Sequence, residues 1–168
     1  MKFIKYLLFA YIIVCVNSNI YAKDLVVGIG GDIETFDVCC ANFIQSHHAL
    51  YAVYEPPVIY PTVKTSSGAL VGDASDLDGT VFESWKAHSD GLTYTIKIRQ
   101  GLTLHNGKPI NSDLVHYMFD RNLNPPGGGA WLLKNIAFVT KPPEIIDDYT
   151  IKLTGDKPSP MVMSSMYM

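Results

Sequence analysis

The run DGLTYTIKIRQGLTLHNGKP, which begins at Asp90, constrains the fold of this chain more than any other stretch. After the turn signal at Asp90-Gly91, apolar and polar residues alternate strictly from Leu92 to Arg99. A period of two predicts a strand with one apolar face and one polar face. Asn106-Gly107 then favours a second tight turn, because both residues tolerate positive φ.

A capped helix is predicted to follow the second turn. Pro109 precedes Asn111 and Ser112, either of which can cap a helix N-terminus, and Asp113 would lie in the first turn. The residues expected on the inner side of this helix are apolar: Leu114, Val115, Met118 and Phe119. From Asp90 onward the sequence therefore predicts turn, half-buried strand, turn and helix.

The stretch from Phe82 to Arg121 also contains a series of short phrases in a distinctive order. They are Glu83-Ser84-Trp85, Asp90-Gly91-Leu92-Thr93-Tyr94-Thr95, a strand ending in Arg99, and then Gly101, His105, Gly107 and Pro109. In order and spacing this series resembles the extracytoplasmic solute-binding proteins of ABC transporters, in the family that binds oligopeptides, dipeptides, nickel and related solutes.

Flanking segments resemble the same family. Glu34-Thr35-Phe36-Asp37 is similar to its opening segment, although Val38 stands where the family usually has proline. The pair Tyr54-Glu55 and the strand from Asp147 to Leu153 also have family counterparts. Leu114 departs from the pattern, because the family usually has Asp there. The resemblance covers nearly all of the chain after its leader, but only the opening part of a family member.

The resemblance implies an α/β fold, as part of a two-lobed periplasmic binding protein of type II-like architecture. Residues 23–60 would form the first segment of the main lobe. Residues 61–168 would form a smaller inserted domain, truncated at its C-terminal end. In such proteins two lobes close on the ligand about a hinge.

Residues 1–22 have the features of a secretory signal peptide. Lys2 and Lys5 precede an apolar run from Tyr6 to Val16, and Ala22 is a small residue suited to cleavage. The run is shorter than the roughly 20 residues of a spanning helix. A periplasmic product is expected, with an uncleaved membrane anchor as the alternative. Cys15 lies inside the apolar run, so lipidation is not expected.

Composition and motifs exclude several functions. The chain carries a formal net charge of −3 without a basic block, so no nucleic-acid partner is expected. It has no P-loop, nucleophile elbow or Cys-x-x-Cys, which argues against an enzyme and against a bound cofactor. Gly28-Ile29-Gly30-Gly31 lacks the third glycine of a dinucleotide fingerprint, since Ile33 holds that position.

Three groups of potential metal ligands have simpler interpretations. Cys39-Cys40 would be two small, semi-buried residues, with a soft metal or redox site as the alternative. Neighbouring cysteines rarely form a disulfide, because the intervening peptide is strained. Asp113 and His116 could share a helix face, but a capping carboxylate and a solvated imidazole explain them. His47-His48 point about 100° apart on a helix and make a poor ligand pair. No metal site is therefore predicted.

Further elements follow from local pattern. Expected are a buried strand at Leu25–Ile29, a helix from Gln45 to Tyr54 with Ala49, Leu50 and Val53 inward, a surface loop over Lys64–Thr80, a short helix and strand within Trp131–Val139, and a turn and strand over Glu144–Leu153. Trp85 is expected in the core.

By resemblance, the loop after Asp37 lines the ligand cleft. The candidates there are Phe43 for stacking, Asn42 for hydrogen bonds, and Ile44, while Trp131 lies in a region that contributes an aromatic residue in related proteins. The expected function is capture of a small solute, by default a peptide, in the periplasm and its delivery to ABC permease subunits in the inner membrane. Nickel, opines and oligosaccharides stay open as substrates.

Two alternatives remain. The final residues, Met161–Met168, are nearly all apolar or small, which predicts a chain interrupted within a core segment. The product could then be a truncated remnant that does not bind. An envelope hydrolase is the third class, against which stands the lack of an organised nucleophile–base pair.

Overall fold

The computed structural model describes residues 24–41, 44–124 and 131–167, so the predicted signal peptide lies outside the described residues. Eight strands, three α-helices and two 3₁₀ turns follow one another in these ranges: 3₁₀ turn Val38–Cys40, α1 Ile44–Leu50, β1 Val58–Ile59, β2 Thr62–Lys64, β3 Leu70–Gly72, β4 Asp78–Gly79, β5 Phe82–Ala87, β6 Thr93–Ile98, α2 Ser112–Leu123, α3 Trp131–Asn135, β7 Glu144–Asp147, β8 Thr150–Thr154, and 3₁₀ turn Ser164–Tyr167. None of the helices in these ranges is long and apolar enough to cross a bilayer.

A four-stranded antiparallel sheet in the order β5-β6-β8-β7 forms the centre of the structure. The predicted alternation is confirmed in the second half of β6, where Ile96 and Ile98 are buried while Lys97 is exposed, but Thr93, expected on the polar face, is buried as well. In the neighbouring strand β8, Ile151 lies opposite Ile96 and is fully buried. The two central strands thus place their branched apolar side chains in one core.

The turn before β6 shows why Asp90-Gly91 precedes this strand. Gly91 adopts φ 67°, in the left-handed region that glycine enters without steric cost. Asp90 Oδ1 accepts the backbone N–H groups of Leu92 and Thr93, both at 2.9 Å, and Oδ2 accepts the Thr93 hydroxyl at 2.7 Å. These hydrogen bonds, led by that hydroxyl, lower the pKa of Asp90. Gly107, with φ 80°, forms the predicted second turn.

Helix α2 begins as predicted, with Asn111 as its N-cap. Its Oδ1 accepts the backbone N–H of Leu114 at 3.0 Å. The buried face is Ser112, Val115, Phe119 and Leu123. The expectation that Met118 points inward is wrong, because it is 38% exposed. Successive helical residues lie about 100° apart, so a helix that buries Phe119 turns Met118 toward its flank.

The apolar core joins the sheet and α2 to two further segments. Ala137 and Val139 are fully buried, and so, nearly, are Val162, Met163 and Met166 near the end of the chain. Those C-terminal residues therefore belong to the core, as their composition suggested. Trp85 is partly buried against the same core, as expected.

The first predicted strand is wrong. Residues 25–29 form no strand, and Leu25 and Val26 are 88% and 89% exposed. No strand pairs with this segment within the described residues, so its apolar side chains gain no cover. The following helix also ends early, at Leu50, because the last turn tightens through bonds such as Val53 N–H to Leu50 C=O at 2.9 Å. Val53 is consequently exposed.

Three loop and strand assignments also change. The expected loop over Lys64–Thr80 contains a hairpin, in which β2 and β3 pair with Val63 opposite Val71. The predicted helix at Trp131 is confirmed, but no strand follows, and Val139 instead donates its N–H to Leu133 C=O at 2.8 Å. The region Glu144–Leu153 forms two strands, β7 and β8, instead of one.

Candidate functional site

The 3₁₀ turn at Val38–Cys40 brings a carboxylate and two thiols together. Asp37 is its N-cap, with extended backbone (φ −91°, ψ 111°), and its Oδ1 accepts the Cys39 N–H at 3.2 Å. The Cys40 N–H donates to the Asp37 carbonyl at 3.0 Å, which closes the turn. The capping preference of Asp explains why the chain tightens at this point.

Arg121 of α2 ties this turn to the helix. Its Nη1 and Nη2 donate to the two oxygens of Asp37 at 2.8 and 2.5 Å, a bidentate pair between residues 84 apart in sequence. The guanidinium hydrogen bonds lower the pKa of the Asp37 carboxyl to about 2, against a smaller opposing effect of burial. The same bonds raise the pKa of Arg121. Both side chains stay more than a third exposed, so water screens the pair.

A pocket of about 350 Å³ lies where the turn meets α2. Its lining combines polar and apolar surface and comes from both elements: Asp37, Cys39, Cys40, Tyr117, Asp120, Arg121 and Asn124. The four helix residues are spaced i, i+3, i+4 and i+7, so they share one face of α2. Asn124 Nδ2 donates to Asp120 Oδ1 at 2.9 Å, which orients the carboxylate and the amide beside each other.

The two thiols of the turn differ in exposure. Cys39 is 2% exposed, whereas Cys40 is partly exposed. Their sulfur atoms are 3.4 Å apart, well beyond the 2.05 Å or so of a disulfide bond. Burial, and to a lesser degree the contacts with Cys40 and Asp37, raise the pKa of the Cys39 thiol to about 11. A buried thiol in this state is a poor nucleophile.

Two of the four ligand residues predicted from the sequence lie within the described part of the chain. Asn42 and Phe43 lie outside the described residues. Ile44 begins α1 and is 64% exposed, and Trp131 begins α3 and is 61% exposed. Both side chains are therefore available for contact, but they belong to different helices and neither is part of the core cluster. Their role in binding stays a prediction.

Sequence reasoning missed the polar face of α2. Tyr117, Asp120 and Asn124 line the pocket, yet none of them was assigned a role from the sequence. Their helical spacing is evident in the sequence and could have indicated that they share one polar face of α2. His116 was expected to be solvated, and this is wrong: its Nδ1 lies 2.8 Å from the Pro143 carbonyl. Because a carbonyl can only accept, Nδ1 carries the proton.

The matched family is described as bacterial extracellular solute-binding proteins, family 5, middle region, and residues 77–168 match it. Among curated proteins, the glutathione-binding protein GsiB of Salmonella typhi is 31% identical over 141 residues, which are 82% of this chain and 24% of that protein. GsiB of Escherichia coli is 30% identical over the same lengths. The chain spans about a quarter of the length of these glutathione-binding relatives.

Solved structures show the same relationship. The ABC transporter substrate binding protein CtaP from Listeria monocytogenes has a TM-score of 0.59 and 27% identity, with 87% of this chain and 27% of that chain covered. The periplasmic binding protein DppA from Helicobacter pylori, in complex with a peptide, has a TM-score of 0.62 and 21% identity, with 83% and 28% covered. The fold is thus that of a portion of a periplasmic binding protein, as the sequence predicted.

Proposed function

Since the chain belongs to family 5 of the bacterial extracellular solute-binding proteins, we propose that it serves in the capture of a small peptide outside the cytoplasmic membrane, for delivery to the permease of an ABC importer. The match of residues 77–168 to the family carries this proposal. The peptide class is supported by relatives that bind glutathione, itself a tripeptide, and by the peptide bound to DppA.

The proposed solute-binding surface combines the pocket with the loop before α1. Cys40 lines the pocket and Ile44 opens α1, so the predicted contact residues Asn42 and Phe43 lie between them in sequence. In this proposal Phe43 and Trp131 stack against the solute, and Asn42 supplies hydrogen bonds. Aromatic platforms with a few polar anchors are the usual composition of such a site.

The polar groups within the pocket lining suit a peptide. Asp120 offers a carboxylate that can pair with an ammonium group, and the Asn124 amide can bond a peptide unit. Arg121 uses two of its five N–H donors on Asp37, which leaves others for a carboxylate. Tyr117 is 58% exposed and presents a ring with a hydroxyl at its edge.

The compartment and the division into lobes belong to the same proposal. Residues 1–22 would direct export to the periplasm, residues 23–60 would belong to the main lobe, and residues 61–168 to the smaller inserted domain. DppA, which the chain resembles in fold, is a periplasmic binding protein.

Isothermal titration of the chain with glutathione, a dipeptide and an unrelated tripeptide tests the proposal. We expect saturable heat with one site per chain for at least one peptide. Tyr117→Ala should weaken this binding, because the ring lines the pocket. Tyr54→Ala, which removes a tyrosine that is 48% exposed and outside the pocket lining, is the matched control. No heat with any peptide, from a chain shown to be folded by circular dichroism, would contradict the proposal.

A further inference from the structure

We propose that Cys39, Cys40 and Asp37 form a binding site for a thiophilic divalent cation, with Zn²⁺ as its test ion. The inference rests on the arrangement of these three side chains and is independent of the solute. One potential ligand atom from each lies within 4.8 Å of the other two. Thiolates with a carboxylate oxygen are a donor set that Zn²⁺ accepts.

The spacing of the two sulfur atoms suits a shared cation. At a Zn–S distance of about 2.3 Å, sulfurs 3.4 Å apart subtend roughly 95° at the ion. Tetrahedral coordination needs a separation of about 3.8 Å at the same bond length. An opening of about 0.4 Å is within reach of a small side-chain rotation at Cys40, which is only partly buried.

A disulfide is the less favourable fate for this pair. Adjacent Cα atoms are about 3.8 Å apart across a trans peptide, whereas disulfides prefer roughly 4.4–6.8 Å. A cation with bonds of about 2.3 Å to each sulfur bridges the thiols without bringing them together. The structure thus favours metal chelation over oxidation of the pair.

The surrounding charges balance a divalent ion. Asp37 and Arg121 cancel one another, so two thiolates neutralise one M²⁺. Asp37 Oδ1 already accepts two hydrogen bonds, from Cys39 N–H and from Arg121. Oδ2 accepts one from Arg121, and the carboxylate also bonds the Cys39 thiol. A carboxylate has about four lone-pair sites, and the thiol gives up its proton on binding a metal ion, which leaves a site for the cation. Arg121 then acts from outside the ligand set, by holding the carboxylate in place.

The pocket supplies access and the remaining ligand. Both cysteines line it, although Cys39 is almost fully buried. Water entering this space can occupy the fourth position of a three-ligand zinc site. Hard cations such as Mg²⁺ or Ca²⁺ need more oxygen ligands than one carboxylate supplies. The donor set therefore selects a thiophilic ion.

The test uses the full chain with Cys15→Ser, which removes the third thiol of the sequence. Under reducing conditions we expect one Zn²⁺ per chain by competition with a chromophoric chelator, and release of about two protons per ion. Co²⁺ should produce a thiolate-to-metal charge-transfer band. Cys40→Ser should weaken Zn²⁺ binding at least about 100-fold, the upper end of the loss seen when only an outer partner is removed.

Two further variants separate ligands from neighbours. Cys39→Ser should abolish the charge-transfer band, while Asp113→Asn, which changes an exposed carboxylate on α2, should leave binding unchanged. Because Cys40 is partly exposed, Cys40→Ser keeps the test valid even where a change at the buried Cys39 impairs folding. Absence of stoichiometric Zn²⁺ binding, or binding that survives Cys40→Ser in a folded chain, overturns the proposal.

Discussion

The pairing of β7 with β8 provides a direct test of where the core lies. Ile151 of β8 and Ile145 of β7 are register partners, but Ile151 is fully buried and Ile145 is 41% exposed. Replacing either by Ala removes the same three carbon atoms. At about 0.8 kcal/mol per buried CH₂ group, the transfer loss at Ile151 is about 2.4 kcal/mol. A residual cavity brings the total cost to roughly 3–4 kcal/mol.

Ile145 should be far less sensitive. Scaling the transfer loss by its buried fraction gives about 1.4 kcal/mol, and solvent can fill the space that is left. The strand-propensity cost of up to about 1 kcal/mol is common to both changes, so the difference of about 2 kcal/mol reports burial. Urea unfolding followed by tryptophan fluorescence measures it. Equal losses of stability in Ile151→Ala and Ile145→Ala would refute the placement of the core.

Three further changes test local contacts. Asn111→Ala should lower the unfolding free energy by about 1 kcal/mol through loss of the helix cap. Asn111→Ser retains a side-chain acceptor and should lose less stability. The midpoints of urea unfolding compare the two variants. His116→Leu should cost about 1 kcal/mol by leaving the Pro143 carbonyl without its donor, and His116→Asn should recover part of it. The pKa of Asp37 falls from 3.8 to about 2 on folding, so its stabilising effect is complete above pH 3.8 and is lost as pH drops through 2. Asp37→Asn should therefore flatten the dependence of melting temperature on pH between 4 and 2, and an unchanged slope would contradict the ion pair.

The elements that the sequence predicted correctly are those whose signals are local. The alternation that ends at Ile98, the turn at Asp90-Gly91 and the cap at Asn111 each depend on residues a few positions apart. Strand Leu25–Ile29 failed because an apolar run becomes a strand only with a partner. Its composition carries no information on whether such a partner lies nearby.

The inner face of α2 shows a second limit. Helical spacing fixes which residues share a face, but not which face meets the sheet. Val115 and Phe119 were placed correctly, whereas Met118 is exposed because the buried stripe continues to Leu123. The predicted buried face, with Met118, and the observed one, with Leu123, differ by a rotation of the helix through part of a turn. Packing against the sheet determines that rotation.

The candidate site was predicted least completely, because it depends on distant contacts. Asp37 and Arg121 are 84 positions apart, and no local pattern announces their pairing. That pair places the cysteine turn beside the polar face of α2 and so creates the pocket. The resemblance to a family indicated the loop after Asp37, which is next to this pocket in sequence. It did not predict that residues of α2 line the pocket.

Solute capture is tested most directly by ¹H–¹⁵N chemical-shift mapping of the chain during titration with glutathione. The account predicts saturable shifts that cluster at the pocket, including the amides of Cys40, Tyr117, Asp120 and Arg121, and small changes in the β2–β3 hairpin. A spectrum that stays unchanged to saturating glutathione and to other small peptides would contradict the proposed peptide capture. Shifts confined to the hairpin would contradict the proposed site.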